Sequence, residues 1–140
     1  MASITLRDRE IPLTYTTWEM KQIQEEVCKI GDFLQMLFGR KGEGAEAISI
    51  YGEPDHLNAL AKCIRILGNA GLEENGMEPE LTDKWVLRAL KPAKIPEAME
   101  VCLVAMNEGM ESEIPKKEKE SGEPVDVTLA QLEKKKEKDG

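Results

Sequence analysis

Between Pro54 and Gly71 the segment PDHLNALAKCIRILGNAG carries polar residues after Leu57 at only a few places: Asn58, Lys62, Arg65 and Asn69. Wound as an α-helix, they form one narrow stripe, and the remaining positions are apolar or small. A helix apolar over more than half its circumference needs neighbours on several sides, so this one is expected at the centre of the domain. Pro54 suits the first turn and Gly71 the stop. Gly68, inside the last turn, implies close backbone packing.

The flanking patterns are simpler. Ile4 and Leu6, then Ile11, Leu13 and Tyr15, alternate with polar residues around Arg7-Asp8-Arg9-Glu10, which predicts a β-hairpin over Ser3–Tyr15 with a charged turn. Pro12 belongs on an edge strand. Thr16-Thr17-Trp18-Glu19 fits a capping box, opening a helix that carries Met20, Ile23, Val27 and Ile30 on one face. Gly31-Asp32 reads as a stop followed by a new cap, with Phe33, Leu34, Leu37 and Phe38 in a short second segment; one helix kinked at Gly31 fits as well. Arg40–Gly44 is a loop by composition, and Ala45–Tyr51 reads as a helical turn or a short strand, Ile48 and Ile50 leaning towards the strand. Thr82 caps a helix from Asp83 to Leu90, ended by Lys91-Pro92. Pro96 opens the last helix, with Met99, Cys102, Leu103, Met106 and Met110 as its apolar stripe.

At Glu111 the composition changes. Residues 111–140 hold nine acids and seven bases with few apolar groups, a balance that does not offset chain entropy. A flexible charged tail is expected there, with Val127–Lys136 as a fraying helix. The expected fold class is therefore α+β, mostly α. A hairpin packs on a bundle of four to five helices over residues 1–110, and a disordered tail follows.

Charge narrows the functional classes. The chain of 140 residues has a net charge of −8 and a pI near 4.8, whereas a nucleic-acid binder needs a basic face. Subtracting the tail's −2 leaves −6 on residues 1–110, so the acidity belongs to the folded part. The three cysteines, Cys28, Cys63 and Cys102, lie far apart in apolar helical contexts, which implies buried thiols in a reducing compartment. No stretch has the length of a signal peptide's apolar core or of a membrane span. A soluble, cytoplasmic protein is the expectation.

Candidate chemistry is sparse. His56 is the single histidine, in the first turn of the central helix, and a structural or solvated role is expected for it. No zinc spacing, phosphate loop or nucleophile elbow occurs, so neither an enzyme nor a metal or cofactor site is expected. Seven methionines against two phenylalanines point to gap-filling or to an adaptable binding surface. Core packing is the favoured role for Met99 and Met106, while Met77 and Met110, at element ends, are the candidates for exposure. Trp18 and Trp85 read as core-edge residues. The candidate partner-binding set is Met77, Trp85, Met106 and Met110.

Several stretches, taken in order, carry a resemblance. ITLRDREIPLTY is followed at once by TTWEMKQIQEEV; ILGNAGLEENG, LTDKWVLRALKP and IPEAMEVCLVAMNEGM come later. Together they resemble the tail assembly chaperones of long-tailed bacteriophages, especially those of Gram-positive hosts, over about residues 3 to 110. The resemblance implies a small helical protein of the host cytoplasm, absent from the finished virion. Such a protein binds the tape measure protein and helps recruit tail tube subunits, with weak homo-oligomerisation possible. Many members also occur as a frameshifted longer form, and Lys134-Lys135-Lys136 is compatible with an A-rich slippery heptamer or with an ordinary lysine run. The alternative from another class is an acidic helical adaptor or regulatory binding protein.

Overall fold

A computed structural model describes residues 2–42 and 44–110; the expected tail, with its fraying helix, lies outside the described residues. The chain opens with β1 (Ser3–Leu6) and β2 (Arg9–Pro12), paired antiparallel with Leu6 opposite Arg9 and Ser3 opposite Pro12. Arg7 and Asp8 alone form the turn, both with positive φ (51° and 63°), the type I′ geometry that matches strand twist. The charged turn is therefore two residues long, and Arg9 and Glu10 belong to β2. Ile4, Leu6, Ile11, Leu13 and Tyr15 are all buried on the face that meets the helices.

The helix α1 (Thr17–Glu26) has the expected capping box, the backbone N–H of Thr16 donating to Glu19 Oε1 at 2.8 Å. Its end is a correction. The chain leaves the helix at Val27-Cys28-Lys29 and re-enters in α2 (Ile30–Leu37), so Gly31 lies inside the first turn of α2. The Ile30 N–H donates to the Gln24 side-chain oxygen at 3.0 Å, a cap supplied by the preceding helix that no local pattern announces. Residues 40–49 then form a second small hairpin, β3 (Arg40–Lys41) with β4 (Ile48–Ser49), around a 3₁₀ turn at Gly44–Glu46. Both readings offered for the stretch from Ala45 are thus realised in turn.

The central helix α3 (Pro54–Glu74) contacts β2, α1, α2, α4 (Asp83–Ala89) and α5 (Ile95–Met110). From Ala59 to Leu72 its only positions that are not buried are Lys62, Arg65 and Asn69. That stripe is a polar seam. Asn69 accepts from the Leu81 N–H at 2.9 Å and donates back to the Leu81 carbonyl at 3.2 Å, which seats the strand-like approach to α4. Lys62 and Arg65 meet Asp83 at 2.8 and 2.6 Å, and Arg65 also pairs with Glu26, which ties α1, α3 and α4 together. Burial on its own would raise the Glu26 and Asp83 carboxyls. Hydrogen bonds (from Gln22 and Arg65, and from Lys62 and Arg65) with the neighbouring positive charge instead hold both below their ordinary values.

Gly71 is the second correction. The helix continues to Glu74, and Gly71 is buried where the chain of β2 crosses it: a Cβ there would stand 1.9 Å from the Pro12 carbonyl oxygen. Gly68 has Leu81 and Ile11 in the same role, so close packing explains both glycines, and Thr14 N–H reaches the Leu67 carbonyl at 3.0 Å across this flat strip. The third correction concerns α5. Its buried line is Ile95, Ala98, Cys102, Ala105 and Met106, rotated from the expected stripe, and Met99 and Leu103 are half-buried. Small alanines face inward because α5 lies tight against the hairpin and α3.

Candidate functional site

Side chains able to do chemistry are few among the described residues, and most are locked into the framework. His56 is fully buried; its Nδ1 accepts from the Gly52 N–H at 2.9 Å, which leaves Nε2–H to donate to the Leu37 carbonyl at 3.1 Å. One imidazole thus clamps the end of α2 to the turn before α3. Cys28, half-buried, lines a different concavity with Asp32 and Lys41. Cys63 of α3 and Cys102 of α5 are buried against each other, and the hydrogen bond between them, with burial, holds the Cys63 thiol well above its ordinary value. A thiol in that state is a weak nucleophile. Tyr15 Oη is buried with no hydrogen-bond partner among the described residues, and burial, with the charges of Cys63 and Glu19, raises its phenol. The structure therefore does not bring His56 together with a thiol and an acid. Among the described residues no group of three His, Cys, Asp or Glu side chains is placed to hold a metal ion.

The His56 clamp has a pH signature. Burial pushes the imidazole below its ordinary 6.5, against the opposing effect of the Leu37 carbonyl. The unfolded chain then binds a proton that the native state refuses. This contribution is complete above about pH 6.5 and is lost as pH falls from there towards the folded-state value. Glu26 and Asp83 lose theirs only below their ordinary values of 4.5 and 3.8. Differential scanning fluorimetry should show Tm falling between roughly pH 7 and 5. The substitution His56→Gln should lower Tm at neutral pH and flatten the slope; an undiminished slope would place the titration elsewhere.

The four residues expected to bind partners separate. Met110, the last residue of α5, is 71 % exposed, and Met77, just after the Gly76 turn, is 45 % exposed. Met106 is only 4 % exposed and belongs to the core, so it is not available to a partner in this fold. Trp85 is half-buried on the first turn of α4, with the Arg7 guanidinium 5.7 Å from its ring centroid. They lie on three elements and do not form one constellation in sequence or along any single helix face. Trp18 corrects its expectation in the other direction: it is 66 % exposed, with the Lys21 ammonium 5.1 Å from its ring. Ile48, Tyr51 and Val104 are further exposed apolar side chains whose exposure the sequence pattern did not signal. Two of them sit in the small hairpin and the turn after it, where β4 is only two residues long and leaves little alternation to mark a face.

A concavity lies between the hairpin and the corner joining α4 to α5. It encloses about 430 Å³ between Thr5 and Leu6 on one wall and Leu90, Lys91, Lys94 and Ala98 on the other. Its rim also carries Arg7, Asp8 and Glu97. Compared with family models, curated proteins and solved structures, the chain gives no significant match. The exposed apolar side chains and this groove are thus the features from which function must be argued. No helix among the described residues is long and apolar enough to cross a membrane.

Proposed function

We propose that the chain is a phage tail assembly chaperone that binds the tape measure protein and helps recruit tail tube subunits, acting in the cytoplasm of the host bacterium without entering the virion. The observation that carries this reading is the ordered resemblance over residues 3 to 110. It is supported by a small acidic helical body that leaves Trp18, Met77 and Met110 exposed. Flexible methionines adapt to varied apolar surfaces, and net negative charge keeps the chaperone and its client apart from like-charged neighbours in solution. A long client held this way needs no catalysis, only coverage of its apolar stripes until subunits assemble on it.

The test is co-expression of residues 1–111 with the cognate tape measure protein, the full chain serving as the reference. The truncated body should keep the client soluble and co-purify with it, and Met77→Ser with Met110→Ser should cut recovery several-fold. Client that precipitates with the short form alone would move the binding surface into residues 112–140. Client that precipitates with both would end the chaperone reading. The net charge of −6 on residues 1–110 favours the adaptor reading as second. An adaptor using that charge would bind with affinity falling steeply with salt, whereas an apolar chaperone contact would not.

A further inference from the structure

The strand β1 has one ladder partner, β2, and its other edge opens on the groove beneath the α4–α5 corner. With Arg7 and Asp8 as a two-residue turn, Leu6 and Arg9 are the hydrogen-bonded closing pair, and the pairing alternates from there. Thr5 opposite Glu10 is then a non-bonded pair, as is Ser3 opposite Pro12. Pro12 fits this phase because it has no N–H to give. The Thr5 N–H and C=O consequently point away from β2. They have no backbone partner elsewhere among the described residues, and Thr5 is exposed. An unpaired strand edge is a template for another strand.

Charge says what kind. Residues 84–96 contain Lys84, Arg88, Lys91 and Lys94 and no acid, so the rest of residues 1–110 carries −10 when this +4 is taken from −6. Of these cations, Lys91 and Lys94 line the far wall of the groove, Lys84 and Arg88 line a separate recess beside Trp85, and Arg7 adds a cation from the hairpin turn. Asp8 and Glu97 are the acids on the rim, and Glu97 is engaged by Lys94 at 3.6 Å. The floor is apolar: Leu6, Leu90 and Ala98 are buried there. Arg7 packed over Trp85 fastens the hairpin turn to α4, which holds the two walls at a fixed separation.

We infer that this groove receives an extended acidic segment of a partner protein, which adds to β1 as a third strand. Backbone pairing at Thr5 supplies register, small or β-branched side chains of the segment meet Leu6, Leu90 and Ala98, and its alternate carboxylates meet Lys91, Lys94 and Arg7. The inference stands apart from the chaperone reading, since it rests on the strand edge and the local charge alone. A second copy of the chain is the rival occupant.

The probe is a capped hexapeptide of alternating glutamate and valine, EVEVEV, titrated into the ¹⁵N-labelled full chain. Its lysine counterpart KVKVKV and a proline-blocked EPEPEP are the controls. Saturable shifts should centre on Thr5, Lys91 and Lys94, and hydrogen exchange at the Thr5 amide should slow at least tenfold on binding. The double substitution Lys91→Glu with Lys94→Glu should weaken binding at least tenfold, and Thr5→Pro, which costs no ladder bond, should abolish it. Should Thr5→Pro fail to fold, exchange at the wild-type Thr5 amide decides. Equal binding of KVKVKV or EPEPEP, no binding of EVEVEV, or binding without Thr5 protection would overturn the inference. So would a dimer, seen by sedimentation without peptide, in which the Thr5 amide is already protected; that result would assign the edge to a second copy.

Discussion

Replacing Leu60 by aspartate is expected to abolish cooperative unfolding. Leu60 is fully buried on α3, the helix that β2 and all four other α-helices touch. Losing the leucine costs about 2–3 kcal/mol of apolar burial. The new carboxylate has no cation beside it, because the cationic stripe of α3 faces the seam with Asp83 and Glu26, and an unpaired buried charge adds several kcal/mol or forces the group to protonate. A domain of this size has a total stability of roughly 5–15 kcal/mol, so the variant is left without a native basin. Asn58→Asp, two residues away and exposed, introduces the same charge on the solvent side. It should melt within about 0.5 kcal/mol of wild type. Thermal melts followed by circular dichroism, with ¹H–¹⁵N spectra at low temperature, check both. A Leu60→Asp protein with dispersed resonances and an unchanged melt would remove α3 from the centre of the fold.

Where side-chain periodicity is governed by burial, the sequence was enough. The alternation from Ile4 to Tyr15 marked both strands, and the spacing of Asn58, Lys62, Arg65 and Asn69 marked the one face of α3 that is not core. The capping residues Thr16 and Thr82 were readable because their hydrogen bonds are local. The misreadings have a common cause, which is that the deciding contact comes from far along the chain. Gly31 looks like a helix break, yet the break falls at Val27–Lys29 and is capped from Gln24. Met106 and Met110 look alike on a helical wheel, but Met106 is buried in the core and Met110, at the end of α5, is exposed. The polar stripe of α3 is legible from its spacing, but not that Asp83, eighteen residues beyond Arg65, turns it into an interface. The groove beside β1 was invisible for the same reason: its two walls are separated by most of the chain.

The salt-bridge seam along α3 also bears on specificity. A wholly apolar α3 would accept α1 and α4 in several registers, since apolar faces slide. Arg65 binding Glu26 and Asp83 together, with Asn69 bonding both backbone groups of Leu81, admits one arrangement. The groove inherits that definition, because its far wall is the end of α4 and the corner after it.

Gly71→Ala should lower Tm by roughly 8–16 °C, the opposite of what helix propensity alone dictates. In an open helix position the substitution gains about 1 kcal/mol. At Gly71 the added Cβ would lie 1.9 Å from the Pro12 oxygen and 2.5 Å from its carbonyl carbon, both backbone atoms that no rotamer change can move. Either the hairpin lifts off α3 or the helix bends away. Both routes disturb the buried set at Ile11 and Leu13 and strain the Thr14 to Leu67 bond. Overpacking of this kind costs about 1–3 kcal/mol or more, which outweighs the propensity gain. A net loss of about 2 kcal/mol corresponds to roughly 8–16 °C for a domain of this size. Gly31→Ala is the matched control: it is also helical, it has nothing within 4 Å of its added carbon, and it is exposed. It should raise Tm by a few degrees, since only the entropy of the unfolded chain changes. Melts of the two variants moving in opposite directions would establish that α3 carries glycine for the hairpin's sake; a stabilised Gly71→Ala would mean that β2 does not press on the helix there.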